Sequence, residues 1–490
     1  MASPKFHLPE EILAVIIDCL QLPSAVTIGE RRDPNFQRLS DSDKAVRLHL
    51  STLASLSRTC KALNRIVKPV LYHTFPGTRI SNARTFIKTL AKDSVCASSV
   101  REIVIDKWEH ISRGIDSPID RAPQSLDAQC LQYARGLRRT SSCYPMGLGS
   151  AIGAELESGR ADVVLTTLVL LCDNIEVLEV SVPCFNEATQ QEEFLRARST
   201  YFLLDVLPVF KWTSESHKRY LNIKKFAIRL ERHSGTFGCT FVTRMLLMPN
   251  LESFSAWRIS CSRLLAAREP GTPDHPWTGL RSVKLQDCKM DNVMLAILLQ
   301  RAPNLTQIDL HWAVQQYNLD FPSLAASLTT FGARLESVRL DTRNNFCHYP
   351  NGWGVYGLHE ALEEPLGNLQ EMVNLKHLAV TPRAMVGGSA FIDFQHKVLK
   401  CLPANLRTLQ LIGPTREDPS DMVTGTLFWQ FQKLFTAKQP PSSQLESVQF
   451  HCTAFPLNPD HMQHWRSDIV ELPNLGPEPG YNCTFVRLHA

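Results

Sequence analysis

The sequence lacks the cysteine spacing of a structural metal site. Its 14 cysteines are scattered along 490 residues, and none belongs to a C-x-x-C pair. Several of them, such as Cys19, Cys172 and Cys401, lie inside apolar runs, where a reduced thiol behaves as a small hydrophobic side chain. Buried reduced thiols are typical of a reducing compartment. We expect neither a metal nor a cofactor.

Long hydrophobic runs are missing too. The most apolar stretch, residues 163–172, has about half the length that a bilayer span needs. The apolar residues 12–20 include Asp18 and follow two glutamates instead of a basic segment, which is unlike a secretory signal. The sequence therefore predicts a soluble protein of the cytoplasm, the nucleus or both, with no membrane contact.

Concentrated charge and catalytic motifs are also scarce. The net charge of +4 is spread over the whole chain, whereas nucleic-acid-binding proteins usually cluster their basic residues. The glycine-rich segment 147–153 has Ile152 where a dinucleotide-binding loop needs its third glycine. No Walker lysine, G-x-S-x-G or H-E-x-x-H motif occurs. We therefore expect an interaction protein without catalytic residues, the alternative being a hydrolase or transferase hidden in the insertions.

Three helical patterns occupy the first 75 residues. Pro9 stands where a first helical turn tolerates proline, and the apolar residues after it recur on one face. Residues 21–43 are polar and contain glycine and prolines, which predicts an insertion loop. A second pattern runs over residues 46–60 and a third over 63–71, where Pro69 is expected to kink or restart the helix.

The sequences LPEEIL at residues 8–13 and LSRTCKAL at 56–63, in that order, resemble the F-box, a three-helix module. The resemblance implies an F-box domain over residues 1–78, with a longer loop after the first helix than is usual. It also implies docking of a Skp-type adaptor, and through it a cullin. The implied docking residues are Leu8, Pro9, Ile12, Leu13, Ile16, Leu56, Cys60 and Leu63. An ordinary helical cap on a larger domain is the alternative.

A six-residue pattern recurs ten times from residue 100 onward: apolar, two variable, apolar, one variable, apolar. The copies begin at Val100, Ile175, Ile223, Leu251, Leu280, Leu305, Leu335, Leu375, Leu406 and Leu445. The last two apolar positions alternate with polar ones, as in a strand buried on one side. Helical runs such as residues 294–299 precede most copies, and several end in Pro-Asn-Leu.

One strand and one helix in each 25 to 40 residues match the leucine-rich-repeat signature. The copy at Leu280 extends furthest, with Cys288 and Met290 in the repeat frame. The sequence thus predicts an α/β chain whose residues 79–490 form an irregular horseshoe-shaped solenoid. Its parallel strands would line the concave face, its helices would lie outside, and residues 107–160 would be an insertion loop. An α/β domain that alternates strands and helices around a parallel sheet is the alternative.

Residues that alternate with the buried ones should point out of the concave face, Asp341 among them. Trp and Arg are over-represented among binding anchors, which favours the charged and aromatic members of this set. The candidates for binding an unidentified protein substrate are Arg229, Trp257, Lys284, Gln286, Asp309, His311 and Arg339. With the F-box resemblance, this implies a substrate-recognition subunit of a cullin-RING ubiquitin ligase, which acts by proximity. A leucine-rich-repeat interaction scaffold outside any ligase is the alternative.

Overall fold

The structure is a computed structural model, and the chain forms two compact units. The first comprises Met1–Gly235 and Met248–Leu251, and the second comprises Thr236–Leu247 and Glu252–Ala490. The structure describes residues 9–19, 41–77, 80–105, 167–169, 171–182, 222–230, 246, 248, 250–258, 276–313, 319–342, 366–381, 384–385, 401–412, 445, 447–453 and 482–488.

The first unit contains helices at its start and then parallel strands. The helices are α1 (Glu10–Cys19), α2 (Asp41–Ser57), α3 (Lys61–Leu71), α4 (Ile80–Lys92) and α5 (Ser94–Ser99). The strands are β1 (Thr74–Gly77), β2 (Glu102–Ile105), β3 (Val177–Val182) and β4 (Lys225–Leu230). Each strand pairs in parallel with the next one in sequence order.

Helices α1 and α2 both pack against α3. Ile17, Leu53 and Val67, one from each helix, form a buried cluster that is surrounded by half-buried apolar side chains of α2 and α3. Burying one apolar face of each helix in this way stabilises a module that is too small for a larger core. The insertion loop predicted over residues 21–43 ends earlier than expected, because α2 already begins at Asp41. The rest of that loop lies outside the described residues.

Two details of the helical prediction are wrong. Cys60 is not part of the second helix; it is the N-cap of α3, where its Sγ accepts a hydrogen bond from the Leu63 N–H at 3.4 Å. The third helix also does not restart at Pro69, but continues through it to Leu71. Pro69 has no N–H to donate to the carbonyl four residues earlier, and α3 ends two residues after it.

Lys68 of α3 connects the helical module to the next helix. It forms an ion pair with Asp93, and the Asp93 carboxylate also caps α5 by accepting from the Val95 and Cys96 N–H groups at 3.0 and 3.2 Å. The hydrogen bond from Lys68 lowers the pKa of Asp93. An anionic cap also complements the positive end of the helix dipole.

The second unit is a longer series of parallel strands. These are β5 (Ser253–Trp257), β6 (Ser282–Cys288), β7 (Gln307–Trp312), β8 (Ser337–Asp341), β9 (His377–Val380), β10 (Thr408–Ile412), β11 (Ser447–Thr453) and β12 (Asn482–Leu488). Again each pairs in parallel with its successor. Within the part of this unit that the structure describes, two helices lie between strands and contact one another, α6 (Asn292–Arg301) after β6 and α7 (Phe321–Phe331) after β7.

Sequence signals fix the ends of these two helices. Asp291 caps α6 by accepting from the Met294 N–H at 2.8 Å, and Asp320 caps α7 by accepting from the Ser323 N–H at 3.3 Å. Gly332 follows α7, because a Cβ at this position would lie 2.5 Å from the Leu328 carbonyl oxygen. No helix in the described part of the chain is long and apolar enough to cross a membrane.

All ten copies of the six-residue pattern lie on strands β2 to β11, which confirms the predicted α/β architecture with parallel strands. Every described residue at the three apolar positions of these copies is at most 3% exposed. Strands β1 and β12 were not predicted. The predicted insertion at 107–160 lies outside the described residues.

An asparagine immediately before the first apolar position links neighbouring copies in both units. Its side-chain amide donates to the carbonyl two residues before the first apolar position of the preceding copy. The four bonds are Asn174 to Ser98 at 2.9 Å, Asn304 to Thr278 at 2.7 Å, Asn374 to Ala333 at 2.8 Å and Asn405 to Val373 at 2.7 Å. Of these four asparagines only Asn304 belongs to a Pro-Asn-Leu segment, so the link between copies depends on the asparagine and not on the proline.

Candidate functional site

A groove of about 340 Å³ crosses strands β6 to β10 of the second unit. Two rows of side chains line it, each row running from strand to strand in register. The first row is Ser282, Gln307, Ser337, His377 and Thr408, and the second row is Lys284, Asp309, Arg339, Ala379 and Gln410. The rows exist because alternate residues of a strand point to the same side of the sheet.

Burial alternates along these strands as the sequence pattern predicts. On β6 and β8 the apolar residues Val283, Leu285, Val338 and Leu340 are buried, while the row residues between them are half-buried. The buried side chains hold the strands in place, and the row residues keep access to solvent. This is the arrangement expected of a binding surface on a rigid sheet.

Charge in the second row is concentrated around Asp309. Its carboxylate lies 3.7 Å from Lys284 Nζ and 3.6 Å from Arg339 Nε. Arg339 also lies 3.8 Å from the Asp341 carboxylate through its Nη2. Burial raises the pKa of Asp309, and the neighbouring Arg339 and Lys284 cations oppose that shift.

A second charged cluster lies at the carboxyl ends of β5 to β8. His311 lies between two carboxylates, with Nδ1 3.7 Å from Asp287 and Nε2 4.0 Å from Asp341. Arg258 approaches Asp287 on its other side, at 3.6 Å. Arg258 and Asp287 both adopt left-handed backbone conformations, with φ of 62° and 50°. Such conformations are unfavourable for residues other than glycine, so the surrounding structure must hold them.

The structure brings most of the predicted substrate-binding residues together. Lys284, Asp309 and Arg339 share the second row of the groove, and His311 lies in the cluster at the carboxyl ends of the strands. Trp257 pairs with Gln286 in the register of β5 and β6, and Trp257 is half-buried rather than exposed. Arg229 lies on β4 of the first unit and is half-buried.

One residue of the predicted outward-facing set is wrongly placed. Asp341 is only 2% exposed, because β8 ends in two successive buried residues instead of continuing its alternation. Ser282, Gln307 and Ser337 belong to the predicted outward-facing set, and the structure places them in the first row of the groove. His377, Thr408 and Gln410 were not predicted, although the same alternation rule would have found them.

The predicted adaptor-docking residues lie on the helical module of the first unit. Pro9, Ile12, Ile16 and Cys60 are exposed, and Leu13, Leu56 and Leu63 are half-buried. Leu8 lies outside the described residues. Two further apolar side chains that the sequence did not single out are also exposed, Val15 on α1 and Leu48 on α2.

Buried thiols are not activated for chemistry. Burial raises the pKa of the Cys96 thiol to about 11 and raises the pKa of Cys172 and Cys288 further. These thiols are therefore protonated at neutral pH and act as small apolar side chains. Within the described residues, no group of three or more His, Cys, Asp or Glu side chains is placed to hold a metal ion.

Comparison with known proteins adds no relative. The chain matches no protein-family model, and no curated protein matches it significantly. The features of the chain that bear on its function are therefore the α/β architecture with parallel strands, the groove of the second unit and the helical module of the first.

Proposed function

We propose that this chain is a substrate-recognition subunit of a cullin-RING ubiquitin ligase. Helices α1 to α3 are an F-box that binds a Skp-type adaptor and, through it, a cullin. The strands and helices that follow form a leucine-rich-repeat solenoid that binds a protein target. The chain works in the cytoplasm or nucleus and performs no chemistry itself. It raises the effective concentration of target lysines near the ubiquitin-charged enzyme.

The observation that carries the proposal is the outward face of α1. Ile12, Val15 and Ile16 are 47%, 62% and 47% exposed, although the next residue along, Ile17, is buried in the module core. These three residues have the i, i+3, i+4 spacing that places side chains on one side of a helix. Helix α1 is therefore apolar on two sides, and its own module covers one of them. Apolar surface that the module itself leaves uncovered is typical of an interaction site.

Further exposed apolar residues on α2 and α3 support a partner-binding site on this helical module. Leu48 of α2 is 70% exposed, and Cys60 is exposed at the start of α3. Single exposed apolar residues are ordinary on protein surfaces. A set of them in a module of three short helices is more typical of an interaction site.

The order of the strands favours a repeat array rather than a doubly wound domain. A doubly wound sheet reverses its strand order at a switch point. In each unit of this chain, the strands instead follow one another in sequence order, and all neighbours are parallel. The asparagine that links successive copies also recurs at one fixed place, as expected of stacked repeats.

Co-purification with a Skp-type adaptor tests the proposal. The wild-type chain should form a stable complex, and the double substitution Ile12→Asp with Ile16→Asp should weaken binding at least about tenfold, because it places charges in an apolar interface. Val293→Asp is the matched control, since Val293 is 67% exposed on helix α6 of the second unit. The control should retain the adaptor.

Melting temperatures of the variants separate lost binding from lost folding. Ile12 and Ile16 are exposed, so the double variant should melt close to the wild type. Failure of the wild type to bind any Skp-type adaptor would refute the proposal and favour an interaction scaffold outside a ligase. Full adaptor binding by the double variant would show that this face is not the docking site.

A further inference from the structure

We propose that the groove on β6 to β10 binds an extended peptide and that the pocket around Ala379 receives an aspartate or glutamate side chain of that peptide. This deepens the proposed function, on which its identification as target recognition rests. The pocket is bounded by Arg339 and Gln410 in the second row, and by His377 in the first row.

The pocket arises from a short side chain between two long ones. Ala379 is directly opposite Arg339 on β8 and Gln410 on β10 in the strand register, and it is 8% exposed. Its methyl group therefore forms a floor, while the neighbouring side chains form two walls. His377, two residues earlier on the same strand, is exposed and stands at the rim.

The dimensions of the groove suit a short extended chain. Neighbouring strands are about 4.8 Å apart, so the four steps from β6 to β10 span about 19 Å. An extended peptide rises about 3.3 Å per residue, so about six residues cross the groove. Hydroxyl and amide side chains of the first row, such as Ser337, Thr408 and Gln307, offer hydrogen bonds along this path.

Charge in the groove favours an anionic side chain. Among the described lining residues, Asp309 is the one carboxylate, while Lys284 and Arg339 are cations, giving a formal charge of +1 with His377 neutral. Arg339 lies 3.6 and 3.8 Å from its two carboxylate neighbours, which is beyond the 2.7–3.2 Å of a hydrogen bond. Its guanidinium carries five N–H donors, so it can donate to a further carboxylate.

A carboxylate fits this pocket better than a phosphate. A phosphorylated side chain carries a charge of about −1.5 to −2 and is usually bound by several arginines. The pocket has one arginine, whose charge is already shared with Asp309 and Asp341. One negative charge matches the formal charge of the groove.

Fluorescence polarisation with capped hexapeptide pools tests this inference on the full-length chain. The pools differ only at one central position, which is Glu, Gln, Lys or phosphoserine. We expect the Glu pool to bind about tenfold more tightly than the Gln pool, as for a charge-assisted hydrogen bond. Arg339→Gln and His377→Gln should each reduce this preference, whereas Arg334→Gln, in an exposed turn before β8, should leave it intact.

Three outcomes would overturn the inference: equal binding of the Glu and Gln pools, tighter binding of the Lys or phosphoserine pool, or an unchanged preference in both groove variants. His377 is exposed, so His377→Gln remains informative even if Arg339→Gln does not fold. Adaptor co-purification is measured on the same samples. If the preference for Glu is absent while the adaptor still binds, the peptide inference fails and the proposed function stands. If the adaptor does not bind while the preference for Glu remains, the proposed function fails and the peptide site stands.

Discussion

The two units contain the same strand pattern but differ at its fifth position, the residue between the last two apolar ones. In the first unit this residue is buried on β2, β3 and β4: Val104 is 2% exposed, Glu179 1% and Ala227 6%. In the second unit, Ser255, Lys284, Asp309, Arg339 and Gln410 are polar and half-buried, and Ala379 alone of the described fifth positions from β5 to β10 is buried.

This difference separates the scaffold from the binding surface. The three apolar positions and the linking asparagine are shared by both units, so they determine the strand framework. The fifth position does not determine the framework, because it tolerates Val, Glu, Ala, Lys, Asp, Arg and Gln. It determines whether the second side of the strands is accessible and charged. The candidate binding face therefore lies in the second unit.

The largest effect on the free energy of unfolding should come from placing a charge at the fifth position of the six-residue pattern. One substitution in each unit makes the comparison. Val104→Lys puts an ammonium group where 2% of the side chain is exposed, and we expect a loss of about 3 kcal/mol or more in the free energy of unfolding. Gln410→Lys, at the equivalent half-buried position on β10, should cost less than about 1 kcal/mol. Urea denaturation measures both. Similar losses in the two variants would show that the units do not differ in this respect.

Replacing the asparagine that links neighbouring copies should have an intermediate effect on the free energy of unfolding, and the effect should be equal in the two units. Asn174→Ala in the first unit and Asn405→Ala in the second each remove one side-chain hydrogen bond to a backbone carbonyl, at 2.9 and 2.7 Å. We expect each to lower the free energy of unfolding by about 1 kcal/mol. Asn64→Ala, at an exposed position of α3, is the control and should have little effect. A loss in one unit but not in the other would contradict a common framework.

The smallest effect should be a pH-dependent gain from Asp309→Asn. Burial raises the pKa of Asp309 above its ordinary value, so the folded state holds this proton more tightly than the unfolded state does. Stability is therefore lost as pH rises from the ordinary value of 3.8 through the raised pKa. The substitution should raise the melting temperature at neutral pH, and the gain in the free energy of unfolding should be less than about 1 kcal/mol. At pH 3 it should change the melting temperature little.

Glu336 provides a control of opposite sign for this titration. Its carboxylate accepts a hydrogen bond from Lys376 Nζ at 2.8 Å, and this contact lowers its pKa. The contribution of Glu336 to stability is therefore present at a pH above its ordinary pKa, and it disappears as the pH falls through the lowered pKa. Glu336→Gln should lower the melting temperature slightly at neutral pH and have no effect in acid. The same pH trend for both variants would contradict the assignment.

The framework was predictable from sequence because its signal is local and apolar. Ten strands were found from three apolar residues each, since every one of those positions must be buried. Strand β1 was missed because its sequence, TFPG, contains proline and glycine, which are unusual in strands. Strand β12 was missed because the sequence two residues before it has Gly480 where β11 has Leu445.

The site was predictable only in part, because it depends on contacts between strands. Alternation found Lys284, Asp309 and Arg339, but the predicted outward-facing set ended at β8, so His377 on β9 and Gln410 on β10 were left out. Asp341 was expected to be exposed, and its burial beside Arg339 depends on how β8 ends rather than on its own residue type. Periodicity alone likewise does not show which apolar side of α1 stays exposed, because that depends on the neighbours against which the helix packs. The choice of Ile12 and Ile16 came from the F-box resemblance.

The most direct test of the account is affinity capture of the full-length chain from cells in which cullin-ligase activity is blocked, with quantification by mass spectrometry. The account predicts that Ile12→Asp with Ile16→Asp loses the Skp-type adaptor and the cullin but keeps the trapped target. It predicts the reverse for Arg339→Gln with His377→Gln. Capture of the wild type without adaptor or cullin, or loss of adaptor and target together in both variants, would contradict it.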